Sequence, residues 1–407
     1  MFTRRRFLLV LPAFAASVQA SAQAFVSLPF RKKKVPPPPA PVFVYFGTDT
    51  AIGVAKGIYQ SRFDPIKGQL TPPVLAAATV RPSFFALSPA QGGSRFLYAI
   101  NAVKDATASV TAFAVDLKTG SLRQIGQVPS GGSGPAYISV DRTGHAAFVA
   151  NYTGSTVASF HILPNGTLSP PAEVIDLKDH EKFGALGPNS ARQDAPHPHS
   201  ALLSPDNRFL LVNDLGTDQV VVFLVHPDTA KLTNPHLFHN DRPGAGPRHL
   251  AFHPNSRWVY GINEIDSTID RFLWTATRFS ETPQGLLINT NTPIKTIADS
   301  FPAAKNTASE LVISPDGNFL YASNRGEDTL VVFSISARDG SLTFLQRISC
   351  GGKVPCHFTL DPTAQWLLCC NQESAGITVF RREAGTGRLS GPTQTVPLDS
   401  PLFTLFA

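Results

Sequence analysis

Charge is scarce in this chain, and what there is lies unevenly: only 16% of the 407 residues are Asp, Glu, Lys or Arg. Seven of the basic residues (Arg4, Arg5, Arg6, Arg31, Lys32, Lys33 and Lys34) sit in 1–41, which contains no acid, and without those seven the formal charge falls from +6 to −1. No basic stripe is left to grip a phosphate backbone, so no nucleic-acid partner is predicted. The four cysteines all come late, at 350, 356, 369 and 370, with no metal-finger spacing. Cys350 and Cys356 are close enough to pair across a loop. Cys369 and Cys370 are neighbours on a strand, should face opposite ways, and are expected to be buried thiols. The one long apolar run, FLLVLPAFAASV, is too short to span a bilayer comfortably, so no stable membrane span is expected after processing. Also missing are a Gly-x-Ser-x-Gly elbow, a His-Glu-x-x-His pair and a Gly-rich phosphate loop with Lys, which argues against a serine hydrolase or a nucleotide enzyme. No cofactor is implied. His197 and His199 could offer two imidazoles to a metal, but nothing indicates a third ligand, so no metal site is predicted.

The first 22 residues combine a basic start, the apolar run and a small-residue Ala20-Ser21-Ala22 site, the pattern of an export signal. Thr3-Arg4-Arg5-Arg6-Phe7-Leu8 resembles a twin-arginine signal, and a periplasmic or secreted location is predicted. Residues 23–41, with RKKKVPPPPAP, read as a stiff linker, and 42–407 as a single domain.

What the domain has in abundance is turn and strand formers, with 35 Pro, 30 Gly and 29 Phe in the chain. They recur in order: a Pro, a short apolar strand, a turn, and a second apolar strand ending in Asn. The copies are PSFFALSP…FLYAIN101, PAYISVDRTGHAAFVAN151, PHSALLSPDNRFLLVND214, PRHLAFHPNSRWVYGIN263, ASELVISPDGNFLYASN324 and PCHFTLDPTAQWLLCCN371. Their closing residues lie 47 to 63 apart, the length of a four-stranded propeller blade. A seventh copy is split: PLFTL at 401–405 supplies its first half and FVYFGT at 43–48 its second. The sequence therefore predicts an all-β fold, a seven-bladed β-propeller of four-stranded blades whose ring is closed by N- and C-terminal strands sharing one blade. A closed ring needs no partner, and a monomer is predicted.

Each half-repeat is a hairpin, so the residues after the opening Pro and after the closing Asn lie at one end of the ring. Around the ring the first of these positions holds Ser83, Ala136, His199, Arg248, Ser309, Cys356 and Leu402. The next holds Phe84, Tyr137, Ser200, His249, Glu310, His357 and Phe403, and the position after the closing residue holds Ala102, Tyr152, Leu215, Glu264, Arg325, Gln372 and Asp49. Scaffold repetition explains Pro, apolar residues and Asn, the last as a turn cap. It does not explain strong charge at one end of blades three to six only, where His199, Arg248, Glu264, Glu310, Arg325 and His357 should converge on a channel mouth. Arg248 with Glu264, and Glu310 with Arg325, could each simply be an ion pair within one hairpin, and His249 and His253 could be satisfied polar residues. Insertions at 175–196 and 272–307 are positioned to cover the mouth.

RQDAPHPH (192–199), DLGTDQV (214–220), GPRHLAFHP (246–254) with YGINE (260–264), SELVISPDG (309–317) with SNRG (323–326), and CHFTLDP with NQES (371–374) together resemble the lactonase family of seven-bladed propellers, which includes 6-phosphogluconolactonases and carboxymuconate-lactonizing enzymes. The resemblance covers 42–407 and implies a site of His199, Arg248, Glu264 and Arg325. His197, His249, Glu310, His357 and Gln372 are expected to bind substrate. Two departures stand out: Ala102 replaces a common Glu, and Cys356 stands where Arg is often found. The function expected is metal-independent hydrolysis of a small-molecule lactone, with Glu264 or His199 as base and the two Arg on the anionic group and oxyanion. Cycloisomerisation of a muconate-type organic acid and a non-catalytic binding propeller are the alternatives.

Overall fold

In six of the seven copies the opening Pro heads the innermost strand of a sheet, the fifth starting at Thr307 instead, and the strand beside it carries the closing residue: Pro198–Leu203 runs antiparallel to Phe209–Asp214, with Ala201 opposite Val212. The computed structural model describes residues 40–239, 242–277, 283–290 and 293–407; the predicted signal and all but the last two residues of the linker lie outside the described residues. Seven antiparallel sheets form, each with strands in sequence order from the inside outward, except the split one. There Pro401–Phe406 is innermost and pairs with Val42–Thr48, Tyr45 opposite Leu405. Two sheets count five strands because the outermost strand is interrupted: Gln69–Leu70 and Val74–Ala78 both pair with Gly57–Asp64, and Gly285–Asn289 and Ile294–Lys295 both pair with Thr268–Ala276. Each innermost strand touches the next blade's, round to Pro401–Phe406 against Pro82–Leu87, so the ring is closed. Among the described residues, helix is limited to His180–Phe183 and a 3-10 turn at Ala303–Lys305.

The core lies between blades. Second strands such as Trp366–Asn371 are buried along their whole length because a neighbouring sheet covers each face, which is why they read as continuous apolar runs. Truncating one of these, Leu368→Ala for example, should cost about 2–5 kcal/mol. Adjacent blades also interlock. The Tyr260 hydroxyl donates to the carbonyl of Gly340 in the next blade at 2.6 Å, and Tyr321 to Gly387 at 2.8 Å. Those turns need glycine twice over: φ is +76° and +70°, and a Cβ would lie 2.5 Å from the Trp258 ring and 2.2 Å from the Phe319 ring.

The thiols follow the same geometry. Cys369 and Cys370 are buried in different inter-blade clusters, as adjacent strand residues must be. Cys350 and Cys356 are not paired: Cys350 packs between blades five and six with its thiol on the Gly352 carbonyl, whereas Cys356 turns toward the channel mouth.

Candidate active site

All seven innermost strands carry an irregularity at their first residues. Pro198 is opposite Asp214 but Ser200 is opposite Asn213, so His199 is an extra residue; Arg248 and Cys356 are extra in the same way, and the fifth blade shifts between Ala308 and Leu311. Such a bulge releases a side chain from the alternation of the strand and re-aims it. Here it aims into a cavity of about 430 Å³ at one mouth of the central channel. His199, Arg248, Glu264, Arg325, His249, Glu310, His357, Cys356 and Gln372 all line it.

Glu264, directly after the closing Asn263, is the hub and is 5% exposed. Its Oε1 accepts from Arg192 Nη2 at 2.5 Å, and its Oε2 accepts from Arg248 Nε at 3.0 Å and is ion-paired with Arg325 Nη2 at 2.9 Å. Burial pushes the carboxyl up, but the guanidiniums of Arg325, Arg248 and Arg192 together outweigh it and hold it well below the ordinary carboxylate range. Arg248 is further fixed by donating from Nη1 to the Ser309 carbonyl at 2.5 Å, and Arg325 by the Ala308 carbonyl at 3.3 Å. Arg325 thus spans from blade five to the blade-four carboxylate, and the expected Glu310–Arg325 hairpin pair does not form.

His199 Nε2 lies 3.8 Å from Glu264 Oε2. This is not an ion pair, because burial drives the imidazole well below its ordinary value, with Arg248, His249 and Arg325 adding to the effect. Its Nδ1 is buried with no hydrogen-bond partner.

Glu310 belongs to a deeper layer. Its Oε2 meets His249 Nδ1 at 3.0 Å and His357 Nε2 at 3.4 Å, while Oε1 accepts from the Leu311 amide at 3.0 Å. Burial pushes this carboxyl up and His357 down to about 4. Phe84 packs against Tyr137 and Phe403, with ring centroids 4.2 and 4.1 Å apart, and meets the His249 and His357 rings edge-on. Gln372 accepts from the Cys356 thiol at 3.1 Å, and burial raises that thiol, which therefore stays protonated.

His197 is a correction. It does not line the cavity: its ring stacks on Tyr152 at 4.3 Å and 8°, with Nδ1 3.0 Å from the Tyr152 carbonyl and Nε2 3.0 Å from the Asp194 carboxylate. The bulge at His199 breaks the two-residue alternation that would have put both histidines on one face. His253 is held structurally, with Nε2 2.8 Å from the Gly317 carbonyl.

Sequence reasoning placed Tyr152 and Asp49 at this end without giving them a role, and it missed Arg192 and Arg81, the latter paired with Asp49 at 3.1 Å. Arg192 comes from the 175–196 insertion, where the buried Gln193 side chain clamps the turn through the Leu215 carbonyl (2.9 Å) and the Asn189 amide (3.0 Å). Its closeness in sequence to His199 was the available signal. No described residue of the 272–307 insertion lines the cavity; that segment builds the outer part of blade four. No cluster of three or more His, Cys, Asp or Glu with metal-binding geometry occurs among the described residues.

Known proteins share this architecture. The family described as "Lactonase, 7-bladed beta-propeller" matches residues 43–406. A 6-phosphogluconolactonase of Bacillus subtilis is 30% identical over 89% of this chain and 97% of its own length, and one of Formosa agariphila is 33% identical over 86% and 94%. The structure of a periplasmic gluconolactonase of Pseudomonas aeruginosa superposes with a TM-score of 0.79 at 30% identity, over 90% of this chain and 99% of that one. The chain belongs to the lactonase family of seven-bladed β-propellers.

Proposed function

We propose that this protein hydrolyses a sugar-acid lactone at the channel mouth, without a metal, and does so outside the cytoplasm. The observation that carries the reading is the opposite treatment of two neighbours: Glu264 is kept ionised by three guanidiniums, while His199 is kept neutral with a free Nδ1. A carboxylate so stabilised is a poor proton acceptor, so of the two candidate bases the geometry favours His199. Neutral His199 takes a proton from water as the oxygen attacks the lactone carbonyl. Arg325 and Arg192, the more exposed of the three cations, face the developing oxyanion, and Glu264 holds them in register. The collapsing intermediate breaks the bond to the ring oxygen, which leaves with a proton, and a hydroxy acid is released. The lining holds five Lys or Arg against three carboxyls, which suits a substrate or product bearing negative charge. The export signal and the periplasmic relative support the location.

The test is the purified protein on a panel of sugar-acid lactones and muconate-type acids, followed with a pH indicator and by absorbance. Lactone opening that is abolished in Arg248→Met and Glu264→Gln supports the reading; turnover of the acids alone, or unchanged turnover in both variants, refutes it.

A further inference from the structure

Resting on the lactonase reading, we propose that Glu310 and His249 form the general acid of the reaction: Glu310 stores the proton that His249 Nε2 delivers to the departing ring oxygen. Of the three carboxyls lining this cavity, Glu264 and Glu310 are pushed to opposite forms by their surroundings. Glu264 touches three guanidiniums. Glu310 touches two imidazoles, and among the described residues no Lys or Arg nitrogen lies within 4 Å of it. Its two imidazole partners pack edge-on against Phe84, so a charged carboxylate there would be poorly solvated, and burial pushes its carboxyl up accordingly.

The hydrogen bonds fix who carries which proton. The Thr404 amide can only donate, and it points at His357 Nδ1 (3.4 Å), so the His357 ring proton is on Nε2, which faces Glu310 Oε2 at 3.4 Å. The Leu311 amide occupies Oε1. The one contact free to carry the carboxyl proton is Oε2 to His249 Nδ1, at 3.0 Å. Arg248 Nη1 stands 3.4 Å from both His249 ring nitrogens alike and so is aimed along neither lone pair. With the carboxyl proton on Glu310, His249 bears its own on Nε2, and its ring is edge-on to His199 with centroids 5.2 Å apart. When the ring oxygen leaves, the Nε2 proton goes to it and the Oε2 proton moves to Nδ1. Every heavy-atom contact survives, and the dyad ends as Glu310 carboxylate with neutral His249. The proton His199 took from water then restores the dyad, so atoms and charge balance over the cycle. The scaffold gives no competing reason for this layer, since the equivalent positions Phe84, Tyr137 and Phe403 are aromatic.

The experiment compares an aliphatic sugar lactone with an aryl lactone, whose phenolate leaves without needing a proton. Glu310→Gln keeps the shape and can still hydrogen-bond Nδ1 but has no proton to give. Its kcat on the aliphatic lactone should fall about 100-fold, at least tenfold more than on the aryl lactone. In the wild type, kcat for the aliphatic lactone alone should decline as pH rises and the dyad, which faces Arg248, His357 and Tyr137, loses its proton. Equal losses on both lactones, together with identical wild-type pH profiles, would overturn the acid assignment and leave the lactonase reading standing. A wild type that opens neither lactone would overturn both.

Discussion

Replacing Glu264 with Gln removes one charge and almost no volume, and the structure says where the cost falls. Arg192 and Arg325 have side chains 35% and 20% exposed, so they can turn to water when the carboxylate goes; such exposed partners contribute about 1 kcal/mol or less each. Arg248 is 10% exposed and pinned by the Ser309 carbonyl, so its guanidinium would be stranded, at a cost of about 3 kcal/mol. Because the folded carboxyl lies below its unfolded value, this stabilisation is complete above the ordinary Glu pKa of about 4.3 and is lost only as pH falls through that value toward the folded one. Urea denaturation of wild type and Glu264→Gln should therefore show a gap of about 3–4 kcal/mol that is constant near neutral pH and narrows only in acid. Losing the alignment of the cations should also lower kcat/KM about 100- to 1,000-fold. A variant with wild-type stability at pH 7, or with a gap that widens as pH falls, would refute the account of Glu264 as an ionised hub.

Three further outcomes are expected. Since neutral His199 is the active form and its pKa is depressed, kcat/KM should hold on the acid side through pH 6.5 and fall only well below it; a half-loss at the ordinary histidine value would assign the base elsewhere. Arg192→Met should raise KM for an anionic lactone about tenfold while leaving thermal stability almost unchanged, and equal KM values would remove Arg192 from substrate binding. Gly216→Ala would place a Cβ 1.8 Å from the Ala195 carbonyl, displacing the segment between Arg192 and His199. A loss of about 1–3 kcal/mol with reduced activity is expected by chemical denaturation, and a neutral variant would contradict the close approach.

The ring, its closure and most of the mouth were legible because a repeat makes equivalent positions comparable: His199, Arg248, Glu264, Arg325, Glu310 and His357 could be placed at one end without knowing a single contact. Pairings were less legible. Arg248 with Glu264 does pair within its hairpin, but Glu310 with Arg325, open to the same reading, does not: Arg325 reaches to the neighbouring blade's carboxylate, and no local pattern encodes that. His197 was misplaced by assuming unbroken strand alternation, when an extra residue next to Pro198 intervenes. Arg192 was hidden because an irregular insertion has no equivalent in the other copies to be compared with. The glycines at 340 and 387 likewise looked like ordinary turn formers until the facing Trp258 and Phe319 rings gave them a second reason.

The extra residue in each innermost strand has a consequence for how such a protein changes over time. Because the ladder hydrogen bonds run past it, its side chain can be exchanged with little debt to the scaffold, so the ring offers seven addressable sockets around one chamber. Blades three and four fill theirs with an imidazole and a guanidinium, whereas Ser83, Ala136 and Leu402 leave three sockets chemically blank. A new substrate can be accommodated there by single exchanges, which lets one fold diversify its chemistry while the blades beneath stay as they are.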